Sequence, residues 1–250
     1  MTRGVVAVAA LAAVLVGSVR PAAAQAAPRR ERIWFGVSGG VQAADNRFDD
    51  GFDLVLNAET GKVAIAYPVT RGAIVAAAGG VRVWKRLAIG LGVTRYNRRT
   101  QATVKARLPH PFFDNQFRDV EGAAPVTRRE LGAHLLIGWM MPLSDRLSVT
   151  FSAGPSVLNV TQTFVTGVEF SETYPYDSAT FTRGATADAS SRAAGFNAGA
   201  DVCWMFSRHA GAGGLVQMSR ARATGEAAPG RTIRIDAGGA HIAAGLRVVF

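Results

Sequence analysis

The chain is poor in several things. It has one cysteine, Cys203, among 250 residues, only 8 % aromatic residues, and three lysines, Lys62, Lys85 and Lys105, among its 28 basic residues. A single cysteine excludes an internal disulfide framework and any metal site built on several thiolates. Beyond the N-terminus no apolar run is long enough to cross a bilayer as a helix, which excludes a helical membrane protein. Disorder is excluded from the other side, because 48 % of the residues are hydrophobic. What is abundant is glycine (28 residues), alanine and arginine, and the formal net charge is +10.

Residues 1–24 read as a secretory leader. Arg3 supplies a positive start, Val5 to Val16 an apolar run of 12 residues, and Ala22-Ala23-Ala24 a small-residue cleavage site before Gln25. Twelve residues are too few to span a bilayer. Removing residues 1–24 takes away Arg3 and Arg20 and no acid, so the net charge becomes 26 − 18 = +8. Residues 25–31 form a short polar tail.

The rest alternates with a period of two. Phe196, Ala198, Ala200, Val202, Trp204 and Phe206 lie on one face; Asn197, Gly199, Asp201, Cys203 and Met205 lie on the other. Residues 131–141, 147–157 and 238–250 repeat the pattern. Strands turn successive side chains to opposite faces, so this periodicity predicts β-structure. Eight strands are predicted, near 32–43, 72–84, 86–104, 128–142, 146–163, 192–206, 211–222 and 232–250. Tight turns follow the second, fourth and sixth. Longer polar segments, 44–71, 105–127, 164–191 and 223–231, follow the others. Strict alternation of short and long connections predicts an all-β, eight-stranded antiparallel up-and-down transmembrane barrel over 32–250. Trp139 and Trp204 stand on the apolar face at the short-turn end, where an interfacial girdle belongs.

The C-terminus, Ala244-Gly245-Leu246-Arg247-Val248-Val249-Phe250, has alternate apolar residues and a terminal phenylalanine. It resembles the last strand of bacterial outer-membrane barrels. With the leader and the eight-strand plan, the chain is similar to the outer membrane protein beta-barrel domain family, the small OmpA-, OmpX- and OmpW-like barrels. The resemblance implies residence in the bacterial outer membrane, Phe250 as the signal read by the barrel-assembly machinery, and a monomer.

Parity places Arg82, Glu130, His134, Asp201, His241 and Arg247 inside the barrel. Buried charges need partners, so Asp201 is expected to pair with Arg82 or Arg247 in a packed polar lumen. On the outside, arginine excess in 95–130 and 220–234 replaces a nucleic-acid reading with a membrane-surface one. Arg98, Arg99, Arg220 and Arg222 are the expected contacts to lipopolysaccharide phosphates, since guanidinium matches phosphate bidentately. The aromatics Phe112, Phe113, Phe117, Tyr174, Tyr176 and Phe181 are expected to pack over the mouth. No catalytic residue, metal site or cofactor is expected. A lipid A-modifying enzyme needs a serine, a histidine and an acid brought together, and no spacing here does that. The expected function is therefore a non-enzymatic structural or surface-interaction protein; the alternative is a narrow OmpW-like conduit for small or apolar solutes.

Overall fold

The computed structural model describes residues 32–43, 46–228 and 230–250. The expected leader and tail lie outside the described residues. Among the described residues there are ten strands: β1 Ile33–Ala43, β2 Asn46–Leu56, β3 Glu59–Val69, β4 Gly72–Trp84, β5 Leu87–Pro109, β6 Phe117–Pro142, β7 Leu147–Glu172, β8 Ala179–Met205, β9 Ala210–Ala228 and β10 Arg231–Val249.

Eight of them close into an antiparallel ring. Its order is β1, β4, β5, β6, β7, β8, β9, β10 and back to β1, where Trp34 pairs with Val249 and Ala43 with Ala240. The ring strands are the eight that the alternation predicts. The hairpin β2–β3 stands above β4 and continues the wall, pairing with the outer part of β5 from Ala66↔Thr103 to Lys62↔Arg107.

The long connections correct the sequence reading. Segments 105–127 and 164–191 are not polar loops but outward extensions of β5–β8, running to 23–27 residues per strand. Segment 44–71 is the hairpin β2–β3. Charged residues alternate there with apolar ones, as in Lys105, Ala106, Arg107 and Leu108, so one face meets water and the other fills the interior.

Outside, each ring strand starts apolar at the short-turn end. Leu147, Val149, Phe151, Ala153, Pro155 and Val157 on β7 share the lipid-side parity, and Trp139, Trp204, Phe35 and Leu246 are each half exposed or more. From Leu147 to Val157 the strand advances about 33 Å. Tilted as barrel strands are, this gives an apolar band about 25 Å tall, the height that a bilayer core requires. Among the described residues no helix is long and apolar enough to cross a membrane; the strands provide the span.

Pro155 interrupts the ladder between β6 and β7, which pairs His134 with Ser156 and resumes only at Ile137↔Ala153. Proline has no N–H to give. Asn197, on β8, repairs the gap: its Nδ2 donates to Leu135 O at 3.1 Å and Gly154 O at 2.9 Å. Gly154 makes this possible, since a Cβ there would come within 2.2 Å of Leu135 O.

Candidate functional site

The interior is filled in four successive layers. Nearest the short turns, Arg247 on β10 grips Asp201 on β8. Nε donates to Oδ2 at 2.9 Å and Nη2 to Oδ1 at 2.6 Å, while Nη1 donates to Ser38 Oγ at 2.8 Å. Gly36 leaves room for it, because a Cβ there would lie 2.8 Å from Arg247 Cδ. Of the two partners expected for Asp201, Arg247 is the one that binds. Arg82 shares the inward parity at intermediate burial. Cys203 is inward too, its Sγ 3.6 Å from Met205 Sδ.

The second layer is a hydrogen-bonded chain without carboxylate or guanidinium groups, across six adjacent strands. Thr94 Oγ1 meets His134 Nε2 at 2.9 Å, and His134 Nδ1 meets Ser156 Oγ at 2.8 Å. Asn197 Nδ2 donates to Ser156 Oγ at 2.9 Å. Gln217 Nε2 donates to Asn197 Oδ1 at 3.4 Å, and Gln217 Oε1 meets His241 Nε2 at 3.1 Å. All six side chains are buried. The Ser156–His134 contact has the length of a nucleophile–base pair, but the far side of the imidazole meets a threonine hydroxyl rather than a carboxylate.

The third layer crosses the barrel. Arg128 and Glu130 sit two residues apart on the inward face of β6, with Arg128 Nε donating to Glu130 Oε1 at 2.6 Å. Both reach β10, four places away round the ring of eight. Arg128 Nη2 donates to Asp236 O at 2.5 Å, and Glu130 Oε2 accepts from Gly238 N at 3.0 Å. Gly238 has φ +87°, and a Cβ there would meet Ser219 O at 2.4 Å, so only glycine presents its N–H this way. The inward charges therefore form separate groups rather than one network. Arg128, which lies in the 95–130 stretch whose arginine excess reads as surface charge, is the missed member; its parity with Glu130 is the signal that places it inside.

The fourth layer is apolar. Val63, Ile65, Tyr67, Val104, Leu108, Val126, Leu158, Val160 and Phe164 are buried between the hairpin β2–β3 and the extended strands. Phe48 stacks on Tyr67 at 4.7 Å, and Phe164 meets Tyr67 edge-on at 5.8 Å. Val165 N donates to Tyr67 Oη at 2.8 Å. Burial pushes the Tyr67 phenol up to about 12; the Val165 N–H opposes this and Asp50 adds to it. Arg231 ties β10 to β2 and β7, lying 3.4 Å from Asp50 and donating to Val165 O at 2.8 Å. Where the third and fourth layers meet, a hollow of about 10 Å³ touches Tyr67, Tyr96, Arg98, Arg128 and Gln162, room for at most one water.

On the outer surface the four expected lipopolysaccharide contacts separate. Arg98 has the inward parity of Tyr96 and Thr100, and its Nε donates to Thr70 Oγ1 at 3.2 Å. Arg98 therefore leaves the outward-facing set by parity, although it stays exposed. Arg99, Arg220 and Arg222 are outward and exposed, and Asp236 lies 3.9 Å from Arg220 and 4.0 Å from Arg222. Trp139 and Trp204 are outward near the short turns. Phe250 is outward and stacks on His209 at 6.0 Å.

At the far tip, Arg118 and Glu172 are ion-paired, and Phe112 and Tyr174 each contact Tyr176. Phe112, Phe113 and Tyr174 are largely exposed, whereas Phe117 lies under Arg107. A shallow groove of about 800 Å³ beside β2, β3, β5 and β6 carries Asp53, Lys62, Lys105, Arg107, Asp119 and Glu121. Its three acids balance its three bases.

This architecture, a closed eight-stranded ring with an apolar girdle, is that of an outer-membrane barrel. No protein-family model and no curated protein matches the sequence. Solved structures similar to it include the outer membrane protein OprG from Pseudomonas aeruginosa, with TM-score 0.48 and 10 % identity, covering 88 % of this chain and 96 % of that one. Neisserial surface protein A (NspA) gives TM-score 0.43 and 11 % identity over 88 % of this chain and 97 % of its own. The outer membrane protease OmpT from Escherichia coli gives TM-score 0.40 and 9 % identity over 90 % and 98 %. The barrel assignment rests on the hydrogen-bonded ring of this chain itself.

Proposed function

We propose that this chain is a closed-lumen barrel of the bacterial outer membrane with a non-enzymatic, structural or surface-interaction role. One observation carries the closed lumen. Arg128 and Glu130 bond directly to the opposite wall, between a filled polar layer below and an aromatic core above. The apolar girdle supports the membrane location. Against catalysis stands the burial of His134 and Ser156 within the wall-lining chain. The conduit reading would have to pass the Arg128–Glu130 contacts with β10 and the aromatic core beyond them.

Planar-bilayer recording of the purified, refolded chain tests this. The wild type is expected to give no stable conductance steps. Removing the bolt with R128A/E130A is expected to give flickering openings. Steady porin-sized steps from the wild type would overturn the closed-lumen reading.

A further inference from the structure

The arginines of the outer surface are not equivalent. On β5, Arg95, Asn97 and Arg99 have the outward parity and are exposed; on β6, so is Arg129. The register pairs Asn97 with Arg129, Arg95 with Leu131 and Arg99 with Thr127. Arg129 is therefore directly opposite Asn97 and diagonal to both β5 arginines. Cross-strand neighbours on one face lie about 5 Å apart at Cβ and diagonal ones about 7–8 Å apart, so three guanidinium groups can converge on one ligand.

Two further observations set this cluster apart. Among the described residues, none of the three side chains has a hydrogen-bond or ion-pair partner. Several other charges of the outer face are matched: Lys105 lies 3.3 Å from Glu121, Arg183 2.7 Å from Glu169, and Arg220 and Arg222 flank Asp236; Arg192 and Arg234, like the three, are exposed without an ion-pair partner among the described residues. The nearby Glu130 is turned inward and held by Arg128. The cluster also begins where the apolar band ends. Leu91 and Val93 precede Arg95 on the same face of β5, and Leu131 is the neighbouring outward residue to Arg129 on β6; all three are exposed. A lipid lying on Leu91, Val93 and Leu131 would bring its headgroup to the arginines.

We propose that Arg95, Arg99 and Arg129, with Asn97 between them, bind the phosphate groups of a phosphorylated glycolipid in the outer leaflet. The site rests on the membrane reading above and goes beyond it by naming the ligand and the residues. Guanidinium offers phosphate a planar, two-pronged match. From Arg95 to Arg99 the strand advances about 13 Å, a span that suits a headgroup bearing two phosphates better than the single phosphate of a glycerophospholipid. The long strand extensions lie beyond this level, which is the outward side of such barrels.

The test measures lipid binding to the full chain in detergent, by native mass spectrometry with bisphosphorylated lipid A, dephosphorylated lipid A and phosphatidylglycerol. The wild type is expected to hold bisphosphorylated lipid A at least about tenfold more tightly than either other lipid. R95Q/R99Q/R129Q is expected to lose that preference, and R220Q/R222Q, whose arginines already face Asp236, to keep it. Unchanged binding by the triple variant overturns the site, as does equal affinity for phosphatidylglycerol, or a loss confined to R220Q/R222Q. A gel-shift assay for heat-modifiable folding accompanies each variant. If the triple variant does not fold, the single variants R95Q, R99Q and R129Q are measured, and retention of the full preference by all three overturns the site. The two readings fail separately. A wild type that conducts but prefers bisphosphorylated lipid A loses only its closed lumen; one that does not insert into vesicles loses the membrane reading.

Discussion

The two halves of the barrel interior are built from opposite materials. Near the short turns the inward residues are mostly glycine, serine, threonine, asparagine, glutamine and histidine with the Arg247–Asp201 pair, beside a few apolar side chains such as Leu136 and Met205. In the outward extension they are valine, isoleucine, leucine, tyrosine and phenylalanine. The exterior explains the inversion. Where lipid covers the outside, the wall already has an apolar solvent, and polar inward groups need only satisfy one another. Where water covers the outside, the extension must bury apolar surface to be stable, as a soluble sheet does. The hairpin β2–β3 supplies the extra wall for that second core, with Phe48, Phe52, Leu54 and Leu56 packed against it.

The largest expected effect comes from breaking the outer core alone. Phe164 is fully buried against Tyr67 and Phe48. Phe164→Ala should cost about 3–5 kcal/mol, the usual range for truncating a buried aromatic. The four tryptophans, Trp34, Trp84, Trp139 and Trp204, all lie toward the short-turn end, so their fluorescence reports the other half. Hydrogen exchange should show lost amide protection in β2, β3 and the outer parts of β5–β8, with a smaller shift in the tryptophan midpoint. Equal losses in both halves would show one cooperative core and end the distinction.

The converse test breaks the polar half. Removing one partner of a buried pair leaves a stranded charge, at a cost of about 3–5 kcal/mol; Asp201 is partly accessible, so Asp201→Ala should sit near 3 kcal/mol. Replacing both partners, Asp201→Ala with Arg247→Met, should recover part of this, because no unpaired charge remains. Denaturation in detergent, followed at the tryptophans, measures all three variants. A double variant as unstable as the sum of the two singles would mean that the two side chains are not coupled and that each is held by its other neighbours.

The ring was legible because lipid outside and small polar residues inside give a clean period of two, as in β6 and β8. The outer extension was harder to read. There the outward face is charged, and residues such as Lys105, Arg107, Asp119 and Glu121 made two long strands resemble loops. The β2–β3 turn hides as well. Asn57 and Ala58 both have positive φ, 53° and 63°, the geometry of a two-residue hairpin turn. Alanine is not a residue that announces it. The six inward residues named from parity do point inward, but which of them touch depends on strand register. Arg128 reaching β10, and Asn197 filling the gap left by Pro155, both depend on which strands are neighbours and at what level.

The smallest effect sharpens the comparison at one atom. Tyr67→Phe removes the phenol oxygen that accepts from Val165 N, and should cost about 1 kcal/mol at pH 8. The pH dependence then runs the other way. In the folded chain the phenol stays neutral until about pH 12, while in the unfolded chain it ionises near its ordinary value of 10. Below pH 10 the two states hold the same proton and nothing changes. Between pH 10 and 12 the unfolded state releases a proton that the folded state keeps, so the wild type loses about 1.4 kcal/mol per pH unit. Tyr67→Phe has no such group, and its stability should fall less steeply over that window. The other tyrosines titrate alike in both proteins and cancel in the difference. Chemical denaturation at pH 8, 10, 11 and 12 should therefore show the variant less stable at first and the two curves converging near pH 11. Parallel curves throughout would mean that water reaches the Tyr67 hydroxyl and that the outer half is not a dry core.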